Sequence, residues 1–178
     1  YGDHRDLHSF PTRRSSDLDV LTRIGEALGL SAQARRQALA GSLLLSADNG
    51  HAVHPNFPEK ADPANRVYPN GGVVIKYSAN QKYTTTGLTA GLFQAICQKA
   101  GVPVQVFANR ADEPGGSTLG NLLGHQVSIP MVDIGMAQLA MHSAVETAGS
   151  RDPEYMARAC AAFFQAEFTQ TADGVYQF

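Results

Sequence analysis

The chain has 178 residues, 43% of them apolar and 17% charged, with a formal net charge of −2. That composition belongs to a folded chain long enough to bury a core, and it excludes a disordered tail. The near-neutral balance offers no basic field to a nucleic-acid backbone, and no apolar run approaches the roughly 18 residues of a membrane span, so neither nucleic acid nor membrane is expected as a partner.

The opening run His8-Ser9-Phe10-Pro11-Thr12-Arg13-Arg14-Ser15-Ser16-Asp17-Leu18 resembles a translated sequencing-adapter read-through, and its polar composition also suits a solvated terminal arm. Residues 1–18 are therefore set apart as a non-native or disordered segment, leaving 19–178 for fold reasoning. From Val20, the positions Leu21, Ile24, Leu28, Ala34, Ala38 and Leu39 follow helical spacing, with Gly29 as an interruption. Leu43-Leu44-Leu45 is a short strand, apolar at every position as a strand covered on both faces should be, and Asp48 follows at its end. The stretch from Pro55 to Gly72 is rich in turn residues, after which Val73-Val74-Ile75-Lys76-Tyr77 is a strand that carries a lysine inside an apolar run.

Leu88, Leu92, Phe93, Ile96 and Ala100 share one helical face that ends at Gly101 and Pro103, and Val104-Gln105-Val106-Phe107 is the next strand. After the turn-like Asp112 to Gly116 come a short helix over 117–124, a strand over 129–134 and a final helix from about Pro153 to Phe168. Alternating strands and helices predict an α/β fold, in which ligands gather at strand ends. Cys97 and Cys160 lack Cys-x-x-Cys spacing and read as reduced, packed thiols of a cytosolic protein, with a disulfide or functional thiol as the alternative.

Asp48, His51 and His54 recur at every third residue, a carboxylate–imidazole cluster that suits either metal ligation or a solvated loop. Pro55 directly after His54 argues against a helical zinc-protease motif there. Lys76 needs a counter-charge, access to water, or a lowered pKa. The run Gly115-Gly116-Ser117-Thr118 permits close backbone approach, whether for a ligand oxygen at the head of the short helix or for an ordinary turn. No Gly-x-Ser-x-Gly elbow is present, which argues against a serine hydrolase.

Four ordered motifs resemble the aspartyl aminopeptidases of zinc metallopeptidase family 18: Ser46 to Asn56, Val74-Ile75-Lys76, Asp112 to Gly120, and Met141-His142-Ser143. The match covers nearly everything from Asp19 onward. It implies an α/β/α sandwich of the dinuclear zinc aminopeptidase type, two zinc ions, and removal of N-terminal Asp or Glu from peptides by a cytoplasmic homo-oligomer. Asp48 and His142 then match terminal ligands on the two zincs, brought together because such metals sit about 3.5–4 Å apart. Lys76 matches a pocket for the acidic side chain of the substrate, Gly116 and Ser117 lie on the substrate loop, and His51 and His54 stand close to the metals as orienting or wall residues. The family's upstream His ligand, bridging Asp and Glu–Glu pair have no counterpart in this sequence. The chain thus reads as a C-terminal portion of the catalytic domain, expected to be inactive alone. The competing expectations are a dinuclear aminopeptidase of different specificity and a non-catalytic oligomerisation or binding module.

Overall fold

The computed structural model describes residues 11–113, 115–172 and 175–177, with side chains from residue 18 onward. They fall into two compact units, the first ending at Ser42 and the second beginning at Leu43. In the first unit, helix α1 (Pro11–Ala27) turns through Gly29, at φ 70°, into helix α2 (Ala32–Ala40). Ser31 caps α2 by accepting from Ala34 N at 3.1 Å, and Arg35 joins the two helices through Thr22 O and Glu26. Of the arm expected over 1–18, residues 1–10 lie outside the described residues and 11–18 form the first turns of α1.

The second unit is built on a four-stranded sheet of β1 (Leu44–Ala47), β3 (Val73–Tyr77), β4 (Val104–Ala108) and β5 (Met131–Gly135), in the order β1-β5-β3-β4. β1 runs parallel to β5 and β3 parallel to β4, while β3 and β5 are antiparallel. A three-stranded sheet joins β2 (Gly50–His51), β6 (Ala137–Leu139) and β7 (Thr147–Ala148).

Helix α3 (Gly87–Lys99) starts at a reciprocal cap, Thr86 accepting from Thr89 N while Thr89 Oγ1 accepts from Thr86 N. Helix α5 (Asp152–Gln165) begins with Pro153 in its first turn, where a missing N–H costs nothing. These two helices cover one sheet face, burying Val73, Ile75, Phe93, Cys97, Val132, Ile134 and Ala159 in one core. Each such large apolar side chain contributes about 1.5–3 kcal/mol. Alternation along β3 turns Val74 the other way, into a second cluster with Ala52, Val67, Tyr83, Phe107 and Ala137. Helix α4 (Leu119–Gly124) also lies on that second side, against β1 and β5.

The α/β class holds, with two local corrections to the elements and with the expected loop after Pro55. The strand expected from Ile129 begins at Met131, because Pro130 has no N–H to offer and contributes only its carbonyl, to Leu44 N. The last helix stops at Gln165 rather than Phe168; the following Thr-rich run forms a hairpin of β8 (Thr169–Ala172) and β9 (Val175–Gln177), with Phe168 packed edge-on to Tyr176. The stretch between Pro55 and Gly72 is loop apart from one 3-10 turn at Pro58–Lys60.

Candidate metal and substrate site

Asp48 stands just past the end of β1. Its amide donates to Ile134 O and that of Gly50 to Met136 O, both at 2.9 Å, so residues 48–51 run alongside 134–138. Asn49 fastens the two runs, donating from Nδ2 to Gln138 Oε1 at 2.6 Å and accepting from Met136 N at 3.1 Å. Their close approach requires Gly135, where any Cβ would run into the Asp48 carbonyl.

His142 follows β6 in a tight turn. Ala140 (φ 54°) and His142 (φ 68°) both adopt left-handed backbone, uncommon for residues other than glycine. The turn is held by Ser143 N donating to Ala140 O at 3.0 Å and by His142 N donating to Glu146 Oε1 at 2.6 Å. Backbone held away from its usual wells by surrounding bonds is a feature of ligand-holding turns.

Lys76 lies in β3 at 1% exposure, on the face opposite the α3–α5 core. Its Nζ donates to Asp48 O at 2.8 Å and Asn49 O at 3.5 Å, stands 3.9 Å from Asp48 Oδ2, and sits 5.0 Å from the Tyr83 ring centroid. Burial pulls the ammonium below its ordinary pKa, against the opposing carboxylates of Asp48 and Asp133. The sequence question of how an ammonium survives in an apolar strand is answered by this set of partners.

His51 sits among the same groups. Burial of its ring, then His142 and then Lys76, push the imidazole below the usual histidine range, while Asp48 opposes them. Solvent at the exposed edge of His51 screens these effects. Asp48, His51, Lys76 and His142 therefore share one electrostatic neighbourhood. His54 is placed differently: its Nδ1 accepts from Asn56 N at 3.1 Å, and its ring packs against Phe57 with centroids 5.2 Å apart. With His51 it lines a cavity of about 320 Å³.

Gly116 and Ser117 are exposed, whereas Thr118 behind them is buried and donates to Asp133 Oδ1 at 2.6 Å. α4, which follows, is only six residues long. Asp133, Thr84, Gln138 and Glu146 were missed in the sequence. Asp133 carried the same signal as Lys76, a lone charge in an apolar strand; the others carried none.

Carboxylate and imidazole are donors that zinc accepts, and Asp48, with a side chain 59% exposed, and His142 are both exposed. No group of three or more His, Cys, Asp or Glu side chains able to hold a metal occurs among the described residues. The two donors fit zinc in kind and are fewer than the three or four protein ligands that a zinc site takes.

Among the described residues, no helix is long and apolar enough to cross a membrane. The family model described as "Aminopeptidase I zinc metalloprotease (M18)" matches residues 15–164. The "Probable M18 family aminopeptidase 2" of Mycobacterium leprae is 45% identical over 168 residues, 93% of this chain and 39% of that protein. Its namesake in Streptomyces coelicolor is 43% identical over 146 residues, covering 82% and 34%. The chain thus spans about two fifths or less of the length of these relatives. Among solved structures, a chain of the Ape4 and Nbr1 complex superposes with a TM-score of 0.82 at 39% identity, over 85% of this chain and 29% of that one. The dodecamer of mApe1 from S. cerevisiae gives 0.73 at 26%, over 85% and 33%. A match along most of the chain, in sequence and in fold alike, makes this chain a member of the M18 family of aminopeptidase I zinc metalloproteases.

Proposed function

We propose that this chain forms the C-terminal part of a zinc aminopeptidase that removes Asp or Glu from peptide N-termini. Asp48 and His142 would each hold one of two zinc ions, with the remaining ligands and the general base supplied by the rest of the enzyme. Bound there, zinc would polarise the scissile carbonyl and acidify a water. Gly116 and Ser117 would meet the substrate backbone. His51 would orient the metal side of the site and His54 would line its wall. Cytoplasmic residence and a homo-oligomer belong to the same reading, the latter supported by the dodecameric mApe1.

The observation that carries the acidic preference is the ammonium of Lys76, buried beside Asp48 and donating to the Asp48 carbonyl at 2.8 Å. A carboxylate entering beside Lys76 would gain a charge-assisted partner that a neutral side chain would not. In the full-length enzyme, Lys76→Met should depress turnover of Asp- and Glu-initiated peptides far more than that of neutral ones. A second reading rests on the same bond to Asp48 O and makes Lys76 a residue that merely positions Asp48. Equal loss on acidic and neutral peptides would favour it. The chain alone, with one donor per metal and no base, is expected to release no Asp; zinc-dependent release abolished by His142→Ala would refute that expectation.

A further inference from the structure

A row of three polar side chains crosses the sheet on its second face. The β1–β5 register sets Ser46 beside Asp133, and the β3–β5 register, which pairs Val74 with Gly135 and Ile75 with Ile134, brings Lys76 level with Asp133 on the other side. All three are buried, Asp133 completely. Between them they reach three segments of the chain, around 48–49, 84–85 and 118–120. Ser46 Oγ accepts from Gly120 N at 3.0 Å; Lys76 donates to the Asp48–Asn49 turn; Asp133 accepts from Thr118 Oγ1 at 2.6 Å, Thr84 N at 2.6 Å and Thr84 Oγ1 at 2.8 Å. The backbone amide of Asp133 donates to Thr85 Oγ1 at 2.9 Å.

Asp133 is the member that stability explains least. Its neighbours Met131, Val132 and Ile134 are apolar and buried, and an apolar residue would suit the strand without the desolvation of a carboxylate. What the carboxylate provides is a junction: it ties Thr84, before α3, and Thr118, before α4, to one strand. Thr118 and Gly120 are fastened to the sheet, and Gly116 and Ser117 are exposed immediately before them. Gly120 must lack a side chain, because a Cβ there would meet Ser46.

We propose that Asp133 is a positioning residue of the peptidase site, acting through Thr118 to hold Gly116 and Ser117 where the substrate binds. The inference rests on the reading above that these two residues face substrate. A buried carboxylate accepting three bonds fixes a loop better than a neutral amide can, since bonds to an ionised acceptor are roughly twice as strong as neutral ones.

The test uses the full-length, zinc-loaded enzyme with Asp133→Asn, Thr118→Val, Thr118→Ser and the Asp133→Asn/Thr118→Val double variant. Peptide kinetics, zinc content and amide hydrogen exchange over 117–120 are measured together. Asp133→Asn and Thr118→Val should each lower kcat/KM roughly 10- to 100-fold, mainly through KM, at unchanged zinc content and with faster exchange at Gly120. Thr118→Ser, which keeps the hydroxyl, should recover most of the loss, and the double variant should be little worse than either single. Unchanged kinetics and exchange in Thr118→Val would overturn the proposal, and that variant decides the matter even if Asp133→Asn fails to fold. Should the wild-type enzyme cleave no peptide, the functional reading fails separately. Exchange at 117–120 then decides the positioning claim, faster in both single variants if it is right and unchanged if it is wrong.

Discussion

On one face of the four-stranded sheet, Val73, Ile75, Val132 and Ile134 meet Phe93 and Cys97 of α3 and Ala159 of α5. One residue along the same strands, on the opposite face, Ser46, Lys76 and Asp133 meet the loops that carry Asp48 and Gly116. The period of two in a β-strand lets a single run of five residues serve both purposes. The apolar face supplies stabilisation that is indifferent to direction, as dispersion and water exclusion are. The polar face supplies direction, because each hydrogen bond there specifies where one loop lies. A substitution on the first face should therefore be read in stability, and one on the second in loop order and chemistry.

The largest effect expected from that contrast is at Phe93, fully buried in the apolar core. Phe93→Ala removes the ring and leaves a cavity, costing about 3–5 kcal/mol. Urea unfolding measures it, and a loss below 1 kcal/mol would mean that the core is far looser than its burial indicates. On the opposite face, Ser46→Ala takes the acceptor from a buried Gly120 N–H, at a cost of about 1–3 kcal/mol. Here the informative readout is local: exchange at Gly120 should quicken more than exchange in β3. Uniform acceleration across the sheet would erase the proposed division between the faces.

Much of this contrast could be read from the chain. The apolar runs around Leu44, Val73 and Met131 announced strands, the 88–100 periodicity announced α3, and Lys76 stood out as a charge in an apolar strand. Asp133 was legible by the same criterion. The strands β2, β6 and β7, at two or three residues each, are too short to show a period, and they depend on pairing with distant segments. The left-handed turn at Ala140 and His142 was also hidden, since neither residue advertises positive φ as glycine does. Its hold through Glu146, four residues on, is a local contact that residue spacing alone does not mark. His54 shows the limit of motif spacing: it lies three residues from His51, yet the turn at Asn56 directs its ring toward Phe57.

The effect that is smallest near neutral pH lies at Cys97 and tests the apolar face through titration. The thiol is fully buried, and burial pushes its pKa from 9.0 up to about 12, with Cys160 adding in the same direction. Cys160 itself, only half-buried, is raised by burial too. The folded state thus keeps a proton on Cys97 that the unfolded state releases above pH 9. Below that pH both states hold it and stability is unaffected by this group. As pH rises from about 9 toward 12, the unfolded state binds fewer protons than the folded one, so stability falls, by at most about 1.4 kcal/mol per pH unit. Cys97→Ala should flatten that alkaline decline relative to the parent protein, even though it lowers stability at neutral pH. In parallel, a thiol reagent at pH 8 should modify Cys160 well before Cys97, because the thiolate is the nucleophile and Cys97 stays protonated and enclosed. An alkaline slope identical in the Cys97→Ala variant, or equal labelling rates for the two thiols in the native protein, would mean that water reaches the α3–α5 side of the sheet as readily as it reaches the loops on the other.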